Sequence, residues 1–82
     1  MQIGSVNIDS KLVLAPMAGV TDLAFRTICR ELGAGYTITE MVSAKALCYQ
    51  DRKSRGLLKL APGEHPVSAQ IFGSDPVCMA EA

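Results

Sequence analysis

Val13-Leu14-Ala15-Pro16-Met17-Ala18-Gly19-Val20-Thr21-Asp22-Leu23-Ala24-Phe25-Arg26 turns a strand into a helix within a few residues, and its reading decides the fold. Lys11 to Ala15 is an apolar run of strand length. Pro16 ends it, because proline has no backbone N–H to give to a neighbouring strand. Ala18 and Gly19 allow a ligand or another backbone to come close, and Thr21 or Asp22 offers an oxygen to the free N–H groups of a helix start. Phe25, Ile28, Cys29 and Leu32 recur at helical spacing. They predict an apolar face packed on the preceding strand, with Arg26, Arg30 and Glu31 projecting elsewhere. Strand, small-residue loop and capped helix make the front half of a βα unit. Ligands of α/β proteins gather at the carboxyl ends of such strands, so residues 16 to 19 are the first candidates for function.

Upstream, Ile3, Val6 and Ile8 alternate around Gly4 and Asn7 and predict a small hairpin. Downstream, Gly33-Ala34-Gly35 supplies a helix C-cap and Tyr36-Thr37-Ile38-Thr39 reads as a second strand. Glu40-Met41-Val42-Ser43 then occupies the position after the second strand that residues 16 to 19 occupy after the first. Met41 to Tyr49 and Ser54 to Leu60 predict two helical pieces, closed by Ala61-Pro62-Gly63. Pro66 to Gly73 is the third strand, with Val67, Ala69 and Ile71 on one face and Ser68, Gln70 and Phe72 on the other. Gln70, near its carboxyl end, has an amide that can pair with a ligand edge carrying an N–H beside a carbonyl, or be satisfied by neighbouring backbone. Asp75 caps a last helix with Pro76 in its first turn.

Composition narrows the function. Hydrophobic residues make up 49% of the 82, enough for one small core. Eight Lys and Arg balance eight Asp and Glu, so net charge gives no support for nucleic-acid or membrane binding by the segment as a whole. Locally, Arg52, Lys53, Arg55 and Lys59 cluster, either as a solvated helix face or as a contact for RNA phosphates. Three widely spaced cysteines, Cys29, Cys48 and Cys78, form no C-x-x-C or Cys/His pattern. They suit buried thiols in a reducing cytoplasm and no metal. His65 reads as a loop residue. A break at Pro16 and the lack of basic residues before Lys11 argue against a signal peptide or membrane span. Gly33-x-Gly35 follows a helix and lacks a third Gly, which excludes a dinucleotide fingerprint; no P-loop lysine motif occurs.

The predicted order is β-α-β-α-β-α, with parallel strands. A doubly wound sheet and a (β/α)8 barrel both begin this way. Such a barrel needs about 250 residues, so the chain reads as truncated in its third helix, and an isolated three-stranded sheet with two open edges is expected to be marginal or to self-associate.

Leu14-Ala15-Pro16-Met17-Ala18-Gly19-Val20-Thr21-Asp22 with Phe25-Arg26, then Thr39-Glu40-Met41 with Ser43, then Gln70-Ile71-Phe72-Gly73 and Met79-Ala80-Glu81-Ala82, together resemble the amino-terminal quarter of the tRNA-dihydrouridine synthases, closest to the bacterial B branch. The resemblance implies that residues 1–82 are the amino-terminal part of an FMN-binding TIM-barrel domain. The implied enzyme reduces uridine in tRNA with electrons from NADPH. It also implies that Pro16, Met17 and Ala18 line the flavin ring and that Gln70 hydrogen-bonds it. The family's proton donor, a cysteine in an Asn-x-Gly-Cys-Pro loop, has no match among Cys29, Cys48 and Cys78, so these residues alone are expected to be inactive. Two other readings stay open: a non-catalytic α/β fragment or interaction module, and a piece of another FMN-dependent barrel oxidoreductase.

Hydride added to one carbon of uracil leaves charge that needs an acid at the neighbouring carbon, and a thiol at a barrel strand's carboxyl end can supply it. The resemblance therefore implies that the parent reading frame continues the last helix for about two turns and enters a fourth strand ending in Asn-x-Gly-Cys-Pro. Sequencing the downstream codons checks this. A fourth strand without that cysteine would remove the resemblance and leave a generic flavin-barrel piece.

Overall fold

The computed structural model describes all residues, 1–82. Its amino terminus is the predicted hairpin: β1 (Gln2–Ile3) pairs antiparallel with β2 (Val6–Asn7), and Gly4 turns between them at φ +57°. Met1 and Ile8 clasp its base through two backbone hydrogen bonds, with Ile8 2% exposed. Next come β3 (Val13–Leu14), α1 (Leu23–Glu31), β4 (Tyr36–Ser43), α2 (Ala44–Cys48), α3 (Arg52–Leu57), β5 (Val67–Phe72) and α4 (Pro76–Glu81). Strands β3, β4 and β5 form one parallel sheet in that order, each followed by helix.

Several boundaries differ from expectation. The first strand of the sheet pairs only over Val13 and Leu14, not Lys11 to Ala15, since its partner contributes only Tyr36 and Thr37 to that ladder. The second strand does not stop at Thr39. It runs through Glu40, Met41 and Val42 to Ser43, so the helix predicted from Met41 starts at Ala44, with the Ser43 hydroxyl accepting from the Ala46 N–H. Tertiary pairing with β5 outweighs the helix-forming character of Met41 and its neighbours. The piece predicted from Ser54 to Leu60 begins instead at Arg52, capped by Asp51. Of Thr21 and Asp22, the N-cap of α1 is Asp22, whose carboxylate accepts from the Phe25 N–H at 2.8 Å. At its far end, Gly33 takes φ +115° and Ala34 N–H returns to the Cys29 carbonyl, as a glycine C-cap requires.

The largest correction concerns the inner face of α1. Phe25, Ile28 and Leu32, predicted to pack on the strand, are 38%, 53% and 82% exposed, while Arg26 is 1% exposed. Arg26 turns inward because every direction of its guanidinium finds an acceptor. Nε donates to Glu64 at 2.8 Å, and the two terminal nitrogens donate to the carbonyls of Thr21 and Lys59, each at 2.9 Å. Glu64 is equally enclosed and also accepts from the Thr37 hydroxyl and the Ala61 N–H. No buried side-chain polar atom in the chain lacks a partner. Arg30 extends the same docking, donating to the carbonyls of Pro66 and His65. Fully buried apolar residues are few, Ile8, Tyr36, Val42 and Ala44, so hydrogen-bonded charge carries much of the positioning that a larger core would supply.

Truncating one partner of a buried ion pair leaves the other charged and unpaired, at a cost of about 3–5 kcal/mol. Arg26→Ala is expected to destabilise by that amount in urea unfolding, or to abolish the cooperative transition. Desolvation alone would raise the Glu64 pKa; hydrogen bonds from Arg26, Ala61 and Thr37 and the Arg26 charge outweigh it and hold the carboxyl below its ordinary value. The unfolded chain therefore binds this proton more readily than the folded one. Stability from the pair is complete above the ordinary carboxylate range and is lost as pH falls through the folded pKa. Thermal unfolding followed from neutral pH downward checks this: Glu64→Gln should flatten the acid decline while lowering stability at neutral pH.

Candidate functional site

Beyond β3, the chain folds back on itself over four residues. The Thr21 hydroxyl accepts from the Met17 N–H at 2.8 Å and donates to the Met17 carbonyl at 3.0 Å. The same carbonyl accepts from the N–H groups of Val20 and Thr21. Thr21 is thus a buried staple, and Gly19 sits in the left-handed region at φ +77°, where an L side chain would be strained. Residues 16 to 19 are held tightly yet stay accessible: Met17 is 59% exposed, Ala18 is exposed, and the Ala18 N–H has no hydrogen-bond partner within the chain.

The clamp on this loop comes from the next strand. Gly19 N–H donates to Glu40 Oε1 at 2.6 Å, although the two lie 21 residues apart. Glu40 can reach because β4 carries an irregularity against β5. Ile38 is level with Ser68 and Met41 with Gln70, so Thr39 and Glu40 together oppose the single residue Ala69. A bulge of this kind interrupts the ladder and re-aims side chains. Here the Thr39 hydroxyl takes the place of a ladder carbonyl and accepts from the Gln70 N–H at 3.1 Å. Glu40 and Thr39, adjacent in sequence, tie the loop after β3 to the carboxyl end of β5.

The bulge also sets which side chains share a face. Residues level with one another in neighbouring strands point to the same side, so Ile38 and Met41 both lie on the side of Ser68, Gln70 and Phe72. Tyr36 and Ser68 confirm that side by a hydroxyl–hydroxyl contact. The opposite side carries Thr37, bonded to Glu64 beneath α1, and the buried Val42. Met41 and Phe72 are 47% and 46% exposed, and the Gln70 side chain is exposed and makes no hydrogen bond within the chain. Of the two fates left open for the Gln70 amide, satisfaction by neighbouring backbone is not the one found.

Pro16, Met17, Ala18 and Gln70 are therefore joined through two hydrogen bonds that no reading of the sequence proposed. In the sequence, Glu40 stands out by its position after a strand, Thr21 as a possible cap and Thr39 as a strand former, and all three belong to the motifs that carry the resemblance, none of which pairs them with Gly19 or Gln70. One signal was present: a carboxylate that ends a run of β-branched strand residues and is enclosed when folded needs a donor nearby.

Other candidates fall elsewhere. Arg52, Lys53, Arg55 and Lys59 are all exposed and join no ion pair, the single salt bridge being Arg26–Glu64. Asp51 caps α3: its carboxylate accepts from the Ser54 hydroxyl and N–H, which, with the nearby Lys53 charge, hold its pKa low. His65 is an exposed loop residue. Cys29, Cys48 and Cys78 are free and half-buried rather than fully buried, on α1, α2 and α4, and none stands at a strand's carboxyl end. No helix is long and apolar enough to cross a membrane.

Comparison with known proteins adds an independent line. Residues 13–82 match the family model described as dihydrouridine synthase. The chain is 46% identical over 82 residues to tRNA-dihydrouridine synthase B of Pseudomonas aeruginosa. It is 45% identical over 84 residues to that of Salmonella typhimurium, and 44% identical over 84 residues to that of Escherichia coli. Each alignment covers all of this chain and 25–26% of the relative, so the chain spans about a quarter of the length of the curated relatives it matches.

Removing the Glu40 carboxylate tests the clamp. A hydrogen bond to a charged group contributes about 1.5–3 kcal/mol, so Glu40→Ala should free the Gly19 amide. Hydrogen exchange read residue by residue checks this: Gly19 should lose protection while Arg26, on α1, keeps it. Unchanged Gly19 protection would mean that the loop is held by Thr21 alone.

Proposed function

Because this chain belongs to the dihydrouridine synthase family, we propose that it is part of an FMN-dependent oxidoreductase that reduces uridine to 5,6-dihydrouridine in tRNA, using NADPH. Residues 1–82 serve as the amino-terminal part of its FMN-binding TIM-barrel domain, contributing the first three βα units. Consecutive parallel strands with helix between them support this placement. So does the open sheet face at Met41 and Phe72, which further strands of a barrel would enclose. Three free cysteines suit a cytoplasmic protein.

The observation that carries the flavin assignment is the pairing of two unsatisfied groups on one clamped frame. The free Ala18 N–H lies just beyond β3 and the free Gln70 amide near the carboxyl end of β5, the two strands that flank β4, and they are linked through Gly19–Glu40 and Thr39–Gln70. They fit a flavin: Pro16, Met17 and Ala18 would line the ring, and Gln70 would pair with a pyrimidine edge that presents an N–H beside a carbonyl. When bound, FMN would supply the hydride chemistry between NADPH and the uracil ring. The protein's part is to orient the ring, to lay the Met17 thioether against an aromatic surface, and to keep Gln70 preorganised. No residue here is assigned as the proton donor, because none of the three cysteines stands at a strand end; the 82 residues alone would not turn over. The exposed cations of residues 52 to 59 are available to tRNA phosphates.

FMN titration of the complete protein tests the reading. Gln70→Ala should weaken binding by about 1–3 kcal/mol, roughly fivefold to more than a hundredfold, with folding little changed. Met17→Leu should be tolerated and Met17→Asp should lose the flavin. An unchanged dissociation constant in Gln70→Ala, or bound flavin in Met17→Asp, would overturn the site.

A further inference from the structure

Two thiols that play no part in the site above come near one another where α2 packs on α4. Cys48 ends α2, Cys78 lies in α4, and the two short helices pack on each other. Cys48 Sγ lies 3.6 Å from the Cys78 carbonyl and 3.4 Å from Glu81 Oε2, while the Cys78 thiol donates to Asp75 Oδ2 at 3.7 Å. Both are half-buried, and each borders its own cavity. Cys48 opens, with Arg55 and Glu81, onto one of about 330 Å³; Cys78 opens, with Lys45, onto one of about 220 Å³. Each cavity is thus lined by one cation and one carboxylate, Arg55 with Glu81 and Lys45 with Asp75.

We propose that Cys48 and Cys78 form a reversible disulfide by exchange with a zwitterionic low-molecular-weight disulfide of the glutathione type. Partial desolvation, with hydrogen bonds to Cys78 and Glu81, pushes the Cys48 thiol up to about 11, so Cys48 is a poor first nucleophile and exchange starts at Cys78. Cys78 loses its proton to solvent and its thiolate attacks one sulfur of the external disulfide, releasing one external thiolate, which is protonated from solvent, and leaving a mixed disulfide on Cys78. Cys48 then attacks the Cys78 sulfur as its proton, relayed through Glu81, goes to the second external thiolate that leaves. Two protein thiols are oxidised and one external disulfide is reduced to two thiols, so atoms and electrons balance. The carboxylate and ammonium groups of that disulfide match the Arg55–Glu81 and Lys45–Asp75 pairs that line the two cavities. Closure ties α2 to α4 and fixes the segment between them, including β5 and Gln70. Cys29, on α1, lies outside the pair.

Incubation of the reduced 82-residue chain with glutathione disulfide, followed by thiol titration in denaturant and peptide mass spectrometry, tests this. Free thiols should fall from three to one, with a Cys48–Cys78 cross-link and no retained glutathione. Cys29→Ser should still form the link. Cys48→Ser should stop at a single glutathione adduct on Cys78, and dithiothreitol should restore all thiols. Three persistent thiols, a stable adduct on the unsubstituted chain, or a link through Cys29 would each overturn the proposal.

Discussion

The enclosed pair of Arg26 and Glu64 is the constraint on which the rest of the structure depends. Neither charge tolerates removal from water unless its hydrogen-bonding groups are met, and here they are met from four directions: Thr21 just before α1, Thr37 of β4, and Lys59 and Ala61 on the segment that leads into β5. One ion pair thus fixes the helix, the central strand and the crossover together. This explains why α1 presents Phe25, Ile28 and Leu32 outward. Its orientation is set by the charged residue, whose penalty if left unpaired exceeds what burying a few apolar side chains returns.

A second constraint operates within the sheet. Side chains alternate along a strand, so one additional residue reverses every side chain beyond it. The additional residue at Thr39 and Glu40 puts Met41 on the open face with Gln70 and turns Val42 into the core. It also releases two oxygens for other uses, one toward the Gln70 N–H and one toward Gly19. A regular ladder would have left the loop after β3 without its clamp. The irregularity therefore connects local geometry to the candidate site: it holds the frame while leaving the Ala18 N–H and the Gln70 amide unpaired.

Charge shows how little a net value conveys. Eight positive and eight negative residues cancel in the sum, yet the fold sorts them. Arg26 and Arg30 are committed to internal acceptors, whereas Arg52, Lys53, Arg55 and Lys59 remain exposed within eight residues of chain. The acidic residues are sorted too, with Asp22, Asp51 and Asp75 spent as helix caps and Glu40 and Glu64 as internal clamps. A surface with a local positive field results from a chain that is neutral overall.

Residues 13 to 26, by themselves, determined a strand closed by proline, a tight loop and a capped helix, because those features depend on local rules: the missing proline N–H, the reach of an aspartate to the third N–H ahead, the freedom of glycine. The hairpin, the third strand and the cap at Asp75 were legible for the same reason, and the motifs in their order pointed to the family that the comparisons then showed. Tertiary structure alone decided that Arg26 goes inside, that β4 continues through Glu40 to Ser43, and that Glu40 closes on Gly19. Each depends on a partner 21 or more residues away: Glu64 for Arg26, β5 for the bulge, the turned loop for Glu40. Periodicity sees only neighbours along the chain. A carboxylate's choice of donor is made in space, by whichever N–H or guanidinium the fold has already deprived of water.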